Sequence, residues 1–220
     1  MHKECFPEQG WVILKSLKDV FTKYKAILAG GTACALHLGH RISMDLDFFT
    51  KMDFHIESVI SEIRKAGPSF QIISEGEGYL VGTIEGIKFS LFKYEYPFLE
   101  KTIVYEGIRV AEVLDLASMK VIAISQKGTK RDFADLYFIL QEMPFHKIAG
   151  HMVRRFGKGR INPVHIGKSL VYFSDADSHP EPEYVKGRDV SWEKIKSFFK
   201  NHVRQFVLDL DAAVKAGSKS

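Results

Sequence analysis

The chain has 220 residues, 45% of them hydrophobic and 26% charged, with a formal net charge of +4. This composition excludes a disordered or low-complexity polypeptide, and the length accommodates one mixed domain and a smaller helical one. The mild basic excess permits an anionic partner without demanding one, while the two cysteines, Cys5 and Cys34, fit neither a disulfide framework nor a zinc spacing. The opening MHKECFPEQG has no apolar stretch, so no signal peptide is expected, and no apolar run approaches the ~20 residues that cross a bilayer. A reduced, cytoplasmic setting with no membrane partner is the expectation.

In chain order, residues 11–25 place Trp11, Leu14, Leu17, Phe21 and Tyr24 at helical spacing. AILA (26–29) reads as a short strand stopped by Gly30-Gly31, residues 32–38 as a helix capped near Gly39, and MDLDFF (44–49) as a strand. Ile56, Val59, Ile60 and Ile63 share a helix face over 54–66, broken by Gly67-Pro68. FQII (70–73), YLVGTI (79–84) and IKFSLF (87–92) are strand-like, and TIVY and IRVA flank Glu106-Gly107 as a hairpin. From about residue 112 the pattern turns helical through EVLDLASMKVIAISQ and RDFADLYFILQEM. NPVHIGKSLVYF reads as a helix, SDADSHPEPEY as a loop, and SWEKIKSFFKNHVRQFVLDL as a last amphipathic helix capped by Ser191 ahead of a fraying tail. The expectation is an α+β core over residues 1–110 and a helical region over 111–220 packed on it.

The stretch ILAGGTACALHLGHRISMDLDFF carries the chemistry. Alternate residues of a strand share a face, so Asp45 and Asp47 point one way, ~6–7 Å apart, while Leu46 and Phe48 point into the core. Two carboxylates so placed repel and raise each other's pKa unless a cation lies between them. Mg²⁺ suits such a pair, because it takes one or two carboxylates and leaves room for substrate phosphates. Gly30-Gly31, between strand and helix, lets backbone approach a phosphate, and the helix N-terminus adds N–H donors. Thr32 can contribute a hydroxyl donor. A phosphate cradle beside metal carboxylates is the equipment for nucleotidyl transfer. Taken singly, each feature is also compatible with plain turn chemistry or a solvated strand end.

At these residues the chain resembles nucleotidyltransferases with the polymerase-β-type core, whose first motif is Gly-Gly or Gly-Ser/Thr, a short helix, then Asp-x-Asp. More narrowly it resembles the AbiEii/AbiGii-type toxins, whose Gly-His-Arg-x-Ser-x-Asp-x-Asp pattern is matched by Gly39, His40, Arg41, Ser43, Asp45 and Asp47. The resemblance implies a mixed sheet flanked by helices, and a helical C-terminal half. It also implies NTP as substrate, Mg²⁺ or Mn²⁺ as cofactor on Asp45 and Asp47, and nucleotide contacts from Gly30, Gly31, Thr32, Arg41 and Ser43.

A second match is a helix lysine followed by Arg-Asp-x-x-Asp-Leu: Lys120, then Arg131, Asp132, Asp135 and Leu136. Asp132 and Asp135, at i and i+3, share a helix face and are expected in its first turn. Asp132 can equally be a simple cap, and Lys120, amid apolar neighbours, either snorkels or reaches a phosphate. From the resemblance, Lys120 binds phosphate or stabilises the transition state, and Asp132 or Asp135 orients it or acts as base. One departure stands out: on IKFSLF, where polymerase-β-type enzymes carry a third carboxylate, the residue is Ser90, with Glu85 and Glu95 only in flanking positions.

Arg154, Arg155, Lys158 and Arg160 fall within seven residues beside Phe156 and form a candidate grip on a nucleic-acid backbone. The resemblance further implies a cognate antitoxin protein and, for some members, transfer to the tRNA acceptor end. An RNA or a protein is therefore the expected acceptor. The missing carboxylate leaves open a catalytically weak or inactive nucleotide-binding or antitoxin-binding module.

Overall fold

The computed structural model describes residues 1–66 and 69–217, so the expected break at Gly67-Pro68 and the last three residues of the tail lie outside the described residues. The chain forms two compact units, Met1–Glu112 and Val113–Ser220.

Unit 1 is built on a seven-stranded sheet. Its strands are β1 (Ile27–Ala29), β2 (Leu46–Thr50), β3 (Phe70–Gly76), β4 (Tyr79–Ile84), β5 (Ile87–Lys93), β6 (Ile103–Tyr105) and β7 (Ile108–Val110), in the order β3-β4-β5-β2-β1-β7-β6. The sheet is mixed: β1 runs antiparallel to β2 but parallel to β7, and β2 is parallel to β5. The Glu-Gly pairs expected as turns are tight hairpins. Glu85 and Gly86, and again Glu106 and Gly107, all take positive φ, the combination that matches strand twist in a two-residue connection.

Helices α1 (Glu8–Ser16), α2 (Lys18–Lys23), α3 (Gly30–Leu38) and α4 (Ile56–Ala66) complete unit 1. Phe21 of α2 stacks on Phe48 of β2 at 3.8 Å between ring centroids, so Leu46 and Phe48 lie on the helix-covered face and are wholly buried. The helix expected over 11–25 instead starts at Glu8 and breaks at Leu17 (φ −96°, ψ 5°). Leu14, Leu17 and Phe21 are buried on both sides of the break, so side-chain periodicity could not reveal it. β2 begins at Leu46, which leaves Asp45 just ahead of the strand.

Unit 2 comprises α5 (Val113–Lys127), α6 (Lys130–Glu142), α7 (Phe145–Phe156), α8 (Pro163–Ser169), α9 (Ser174–Asp177) and α10 (Trp192–Ala216). Ser191 caps α10 through the N–H of Lys194, as expected. The segment expected as a loop contains α9, whose Asp177 accepts a 2.6 Å hydrogen bond from the Trp192 indole. Polar composition hid this turn because its support comes from a residue fifteen positions away. HMVRRF belongs to α7, and Lys158–Arg160 form a 3₁₀ turn after it. The core joins Phe133, Phe173, Trp192 and Phe199 by ring contacts of 5.2–5.7 Å. A mixed sheet flanked by helices, followed by a helical region, is the architecture the sequence led us to expect.

Replacing Phe48 by Ala removes the ring stacked on Phe21 from a fully buried site. Chemical denaturation should show a loss of about 3–5 kcal/mol.

Candidate active site

β1, α3 and β2 build the candidate site of unit 1. In the β1–β2 register Ala29 lies opposite Asp47, which brings that carboxylate to the bend where β1 passes into α3. Gly30 has φ +67°, and a Cβ there would sit 2.8 Å from Oδ2 of Asp47. Glycine is thus required twice, for its backbone conformation and for the approach of the acid. A Cβ at Gly31 would collide with the Arg41 guanidinium, which is almost wholly buried and donates to the Ile42 carbonyl at 3.1 Å. Arg41 therefore places positive charge directly against the glycine bend.

Thr32 has a different task from the one expected. Its hydroxyl bonds to the backbone carbonyl of Asp45, and lies 2.9 Å from the Ser43 hydroxyl. A hydroxyl has one proton to donate. Spent on the Asp45 carbonyl, that proton ties the acidic segment to the first turn of α3, so Thr32 and Ser43 position the motif. Asp45 and Asp47 are both half-buried, between the exposed Met44 and the buried Leu46 and Phe48. All seven expected unit 1 residues thus gather at one bend.

On the neighbouring strand Ser90 pairs in register with Asp47 and is buried. Ser90, the β5 residue singled out in the sequence, thus stands directly beside Asp47. Among the described residues no group of three or more His, Cys, Asp or Glu is arranged to hold a metal ion. The pair Asp45 and Asp47 offers hard oxygen donors of the kind Mg²⁺ uses when substrate oxygens and water complete its shell.

The second cluster lies within unit 2. Nζ of Lys120 is 2.8 Å from Oδ1 of Asp132 and 2.7 Å from Oδ2 of Asp135. Asp132 also closes a capping box, with Oδ2 accepting from the N–H and the hydroxyl of Thr129. Asp135 is fully buried and, contrary to expectation, lies in the second turn, because α6 starts at Lys130 with Thr129 as its cap. The lysine neither snorkels nor stands alone; two carboxylates of α6 hold it. Burial alone would raise the Asp132 pKa, but the charge and hydrogen bond of Lys120 and the Thr129 bond outweigh it and hold the group below the ordinary carboxylate value.

The expected basic patch divides. Arg154, Lys158 and Arg160 are exposed. Arg155 is buried, with Nη1 donating to the Asp115 carbonyl at 2.7 Å and the Ser118 hydroxyl at 3.0 Å, and lying 3.3 Å from the Asp115 carboxylate. It holds α7 to α5 and does not belong to a surface grip. Sequence reading missed this buried set, which also places Nε2 of His151 3.3 Å from Asp115, because nothing in the local pattern links positions 36–40 residues apart. The charge asymmetry survives without it: Lys and Arg number 13 against 15 Asp and Glu in residues 1–112, but 18 against 12 in residues 113–220.

Because the Asp132 pKa is lowered in the folded chain, its contribution is complete above the ordinary Asp value and fades as pH falls below it. The stability difference between wild type and Asp132→Asn should be constant above about pH 5 and shrink below about pH 4, as denaturation at stepped pH would show.

Residues 12–99 match the family model described as nucleotidyl transferase AbiEii toxin, type IV TA system. An uncharacterized protein of Aquifex aeolicus (strain VF5), aq_aa25, is 36% identical over 185 residues, 82% of this chain and 87% of that protein. Among solved structures, MenT4, a nucleotidyltransferase toxin of Mycobacterium tuberculosis H37Rv, superposes with a TM-score of 0.60 at 13% identity, covering 95% of this chain and 86% of that one. A candidate nucleotidyltransferase of Helicobacter pylori does so with a TM-score of 0.56 at 18% identity, covering 94% and 98%. At such identities the solved structures establish a shared fold. The family match covers β1 to β5, with the glycine bend and both aspartates, and the Aquifex relative extends the likeness well into unit 2, so that the chain belongs to the AbiEii nucleotidyl transferase toxin family.

Proposed function

We propose that this chain transfers a nucleotide from an NTP to an RNA acceptor, with tRNA the first to test, using Mg²⁺ or Mn²⁺ held by Asp45 and Asp47. It acts as the toxin half of a pair with a cognate antitoxin protein. The observation that carries the reading is the apposition of Asp47 to Gly30, which sets metal-binding oxygens against a backbone bend that opens a helix. The N–H groups of that first turn have no side-chain cap and suit phosphate oxygens. Arg41 adds charge at Gly31, where a negative triphosphate would be stabilised. Thr32 and Ser43 hold the acidic segment to the bend, so the binding groups are in place before substrate arrives. A divalent ion, when bound, would neutralise phosphate charge and polarise the phosphorus centre.

In unit 2, Lys120 is the residue proposed to act on substrate phosphate, with Asp132 and Asp135 positioning its ammonium. The exposed Arg154, Lys158 and Arg160 are the proposed contacts to the RNA backbone. A second reading, a nucleotide-binding or antitoxin-binding module with weak or no transfer, is favoured by Ser90 beside Asp47, because β5 carries no carboxylate.

Incubation with labelled NTPs, Mg²⁺ and total tRNA tests the first reading. Label should transfer to RNA only with a divalent ion. Asp47→Asn should lower the rate at least about 100-fold, the scale of losing one preorganised charge-stabilising group, without lowering the melting temperature. Transfer that is unchanged in Asp47→Asn overturns the mechanism. An NTP that raises the melting temperature while no product forms supports the second reading. Lys120→Met should abolish transfer as well, but leaving two buried carboxylates without their cation should also cost about 3–5 kcal/mol of stability, a difference denaturation separates from Asp47→Asn.

A further inference from the structure

The sheet face that carries Asp47 continues, two residues along β2, into Phe49. Phe49 is the hub of an aromatic cluster, with ring centroids 5.5 Å from Phe92, 5.2 Å from Tyr94 and 6.5 Å from Phe98. All four rings stay half-exposed, unlike Phe48 on the opposite face. A cavity of about 300 Å³ opens here, lined by Phe49, Tyr94 and Phe98 together with Lys25, Lys51 and Arg109, and no acidic residue lines it. Lys25 and Arg109 also line an adjoining cavity of about 400 Å³. Lys25 has φ +47°; the other non-glycine residues with positive φ, among those described, are the glutamates of the two hairpin turns. That φ belongs to the turn that ends α2, where the Lys25 N–H donates to the Thr22 carbonyl at 3.1 Å and the Ala26 N–H to the Phe21 carbonyl at 2.9 Å.

Aromatic faces beside cations suit an unpaired base with its phosphates, since stacking serves any base and the cations follow the backbone. The volume is at the small end of ligand pockets, enough for one nucleotide unit. The cations extend past the rings into the second cavity, which fits a run of phosphodiesters better than a single triphosphate held at the glycine bend.

We propose that Phe49, Tyr94 and Phe98, with Lys25, Lys51 and Arg109, form a pocket for one unpaired nucleotide of the RNA acceptor, on the sheet face that carries Asp47. The assignment rests on the RNA-transfer reading above and gives the acceptor strand a place on unit 1.

The test uses the full chain and a labelled single-stranded oligoribonucleotide of about eight nucleotides, within the span of one single-strand site, titrated at several salt concentrations without divalent ions. Tyr94→Ala should weaken binding about 10-fold; Tyr94→Leu, which keeps apolar volume, should weaken it similarly, and melting curves would confirm that both variants fold. Lys51→Ala, at an exposed position, should reduce the salt slope by about one. Affinity for a non-hydrolysable NTP should not change in any of them. The proposal is overturned if the wild type does not bind the oligonucleotide, or if the Tyr94 variants and Lys51→Ala bind it as the wild type does. A loss confined to NTP affinity would assign the rings to the incoming nucleotide and overturn it equally. Oligonucleotide binding through Tyr94 with no transfer to RNA would leave the pocket standing and remove the transferase reading. Transfer to RNA with wild-type oligonucleotide binding in every variant would do the reverse.

Discussion

Two carboxylates flanking Leu46, Asp47 on β2 and Asp45 just ahead of it, set the terms for the rest of unit 1. The face that Asp47 takes follows from how firmly the opposite face of β2 is anchored. The anchor is Leu46 and Phe48, both wholly buried, with Phe21 of α2 stacked on the Phe48 ring. A slip of one residue in β2 would exchange the acids for these apolar groups, so the hydrophobic core is what fixes where the carboxylates face. The β1–β2 register then determines their neighbour, because Ala29 opposite Asp47 brings the acid to Gly30.

The acids are held by backbone and by small residues. Gly30 admits Asp47, Gly31 admits Arg41, and Thr32 with Ser43 ties the acidic segment to α3. Each contact leaves little freedom, so the site is preorganised by packing rather than assembled by long flexible side chains. Bulk at either glycine would act on function through displaced charge, since Asp47 or Arg41 would have to move.

Unit 2 handles charge differently. Lys120 is wedged between two carboxylates, and Asp115 is enclosed with His151 and Arg155. Burying such groups costs desolvation, which their mutual attraction offsets only when the geometry is good. These networks favour a single arrangement of α5, α6 and α7, because any other would strand a charge in an apolar interior. They also show that a basic-looking run is a poor guide to a surface: of the four cations between positions 154 and 160, Arg155 is spent inside the fold.

Local chemistry made much of this legible. Alternation in LDFF, the Glu-Gly turns, the Ser191 cap and the Gly-Gly-Thr to Asp-x-Asp spacing are all encoded within a few residues, and the strands and helices they specify are present. The less legible features have partners far off in the chain. The break at Leu17 leaves no trace in periodicity, the α9 turn is fastened by Trp192, and the Asp135 position depends on which residue caps α6. By itself the sequence determined the strand faces, the turn types and the order of the two motifs, since these follow from side-chain period and backbone preference. Only the tertiary structure decided that Asp47 meets Gly30, that Ser90 lies beside Asp47, that Thr32 spends its proton on the acidic segment and that Arg155 is buried. Strand register and long-range packing create those contacts, and neither is written in any local stretch of residues.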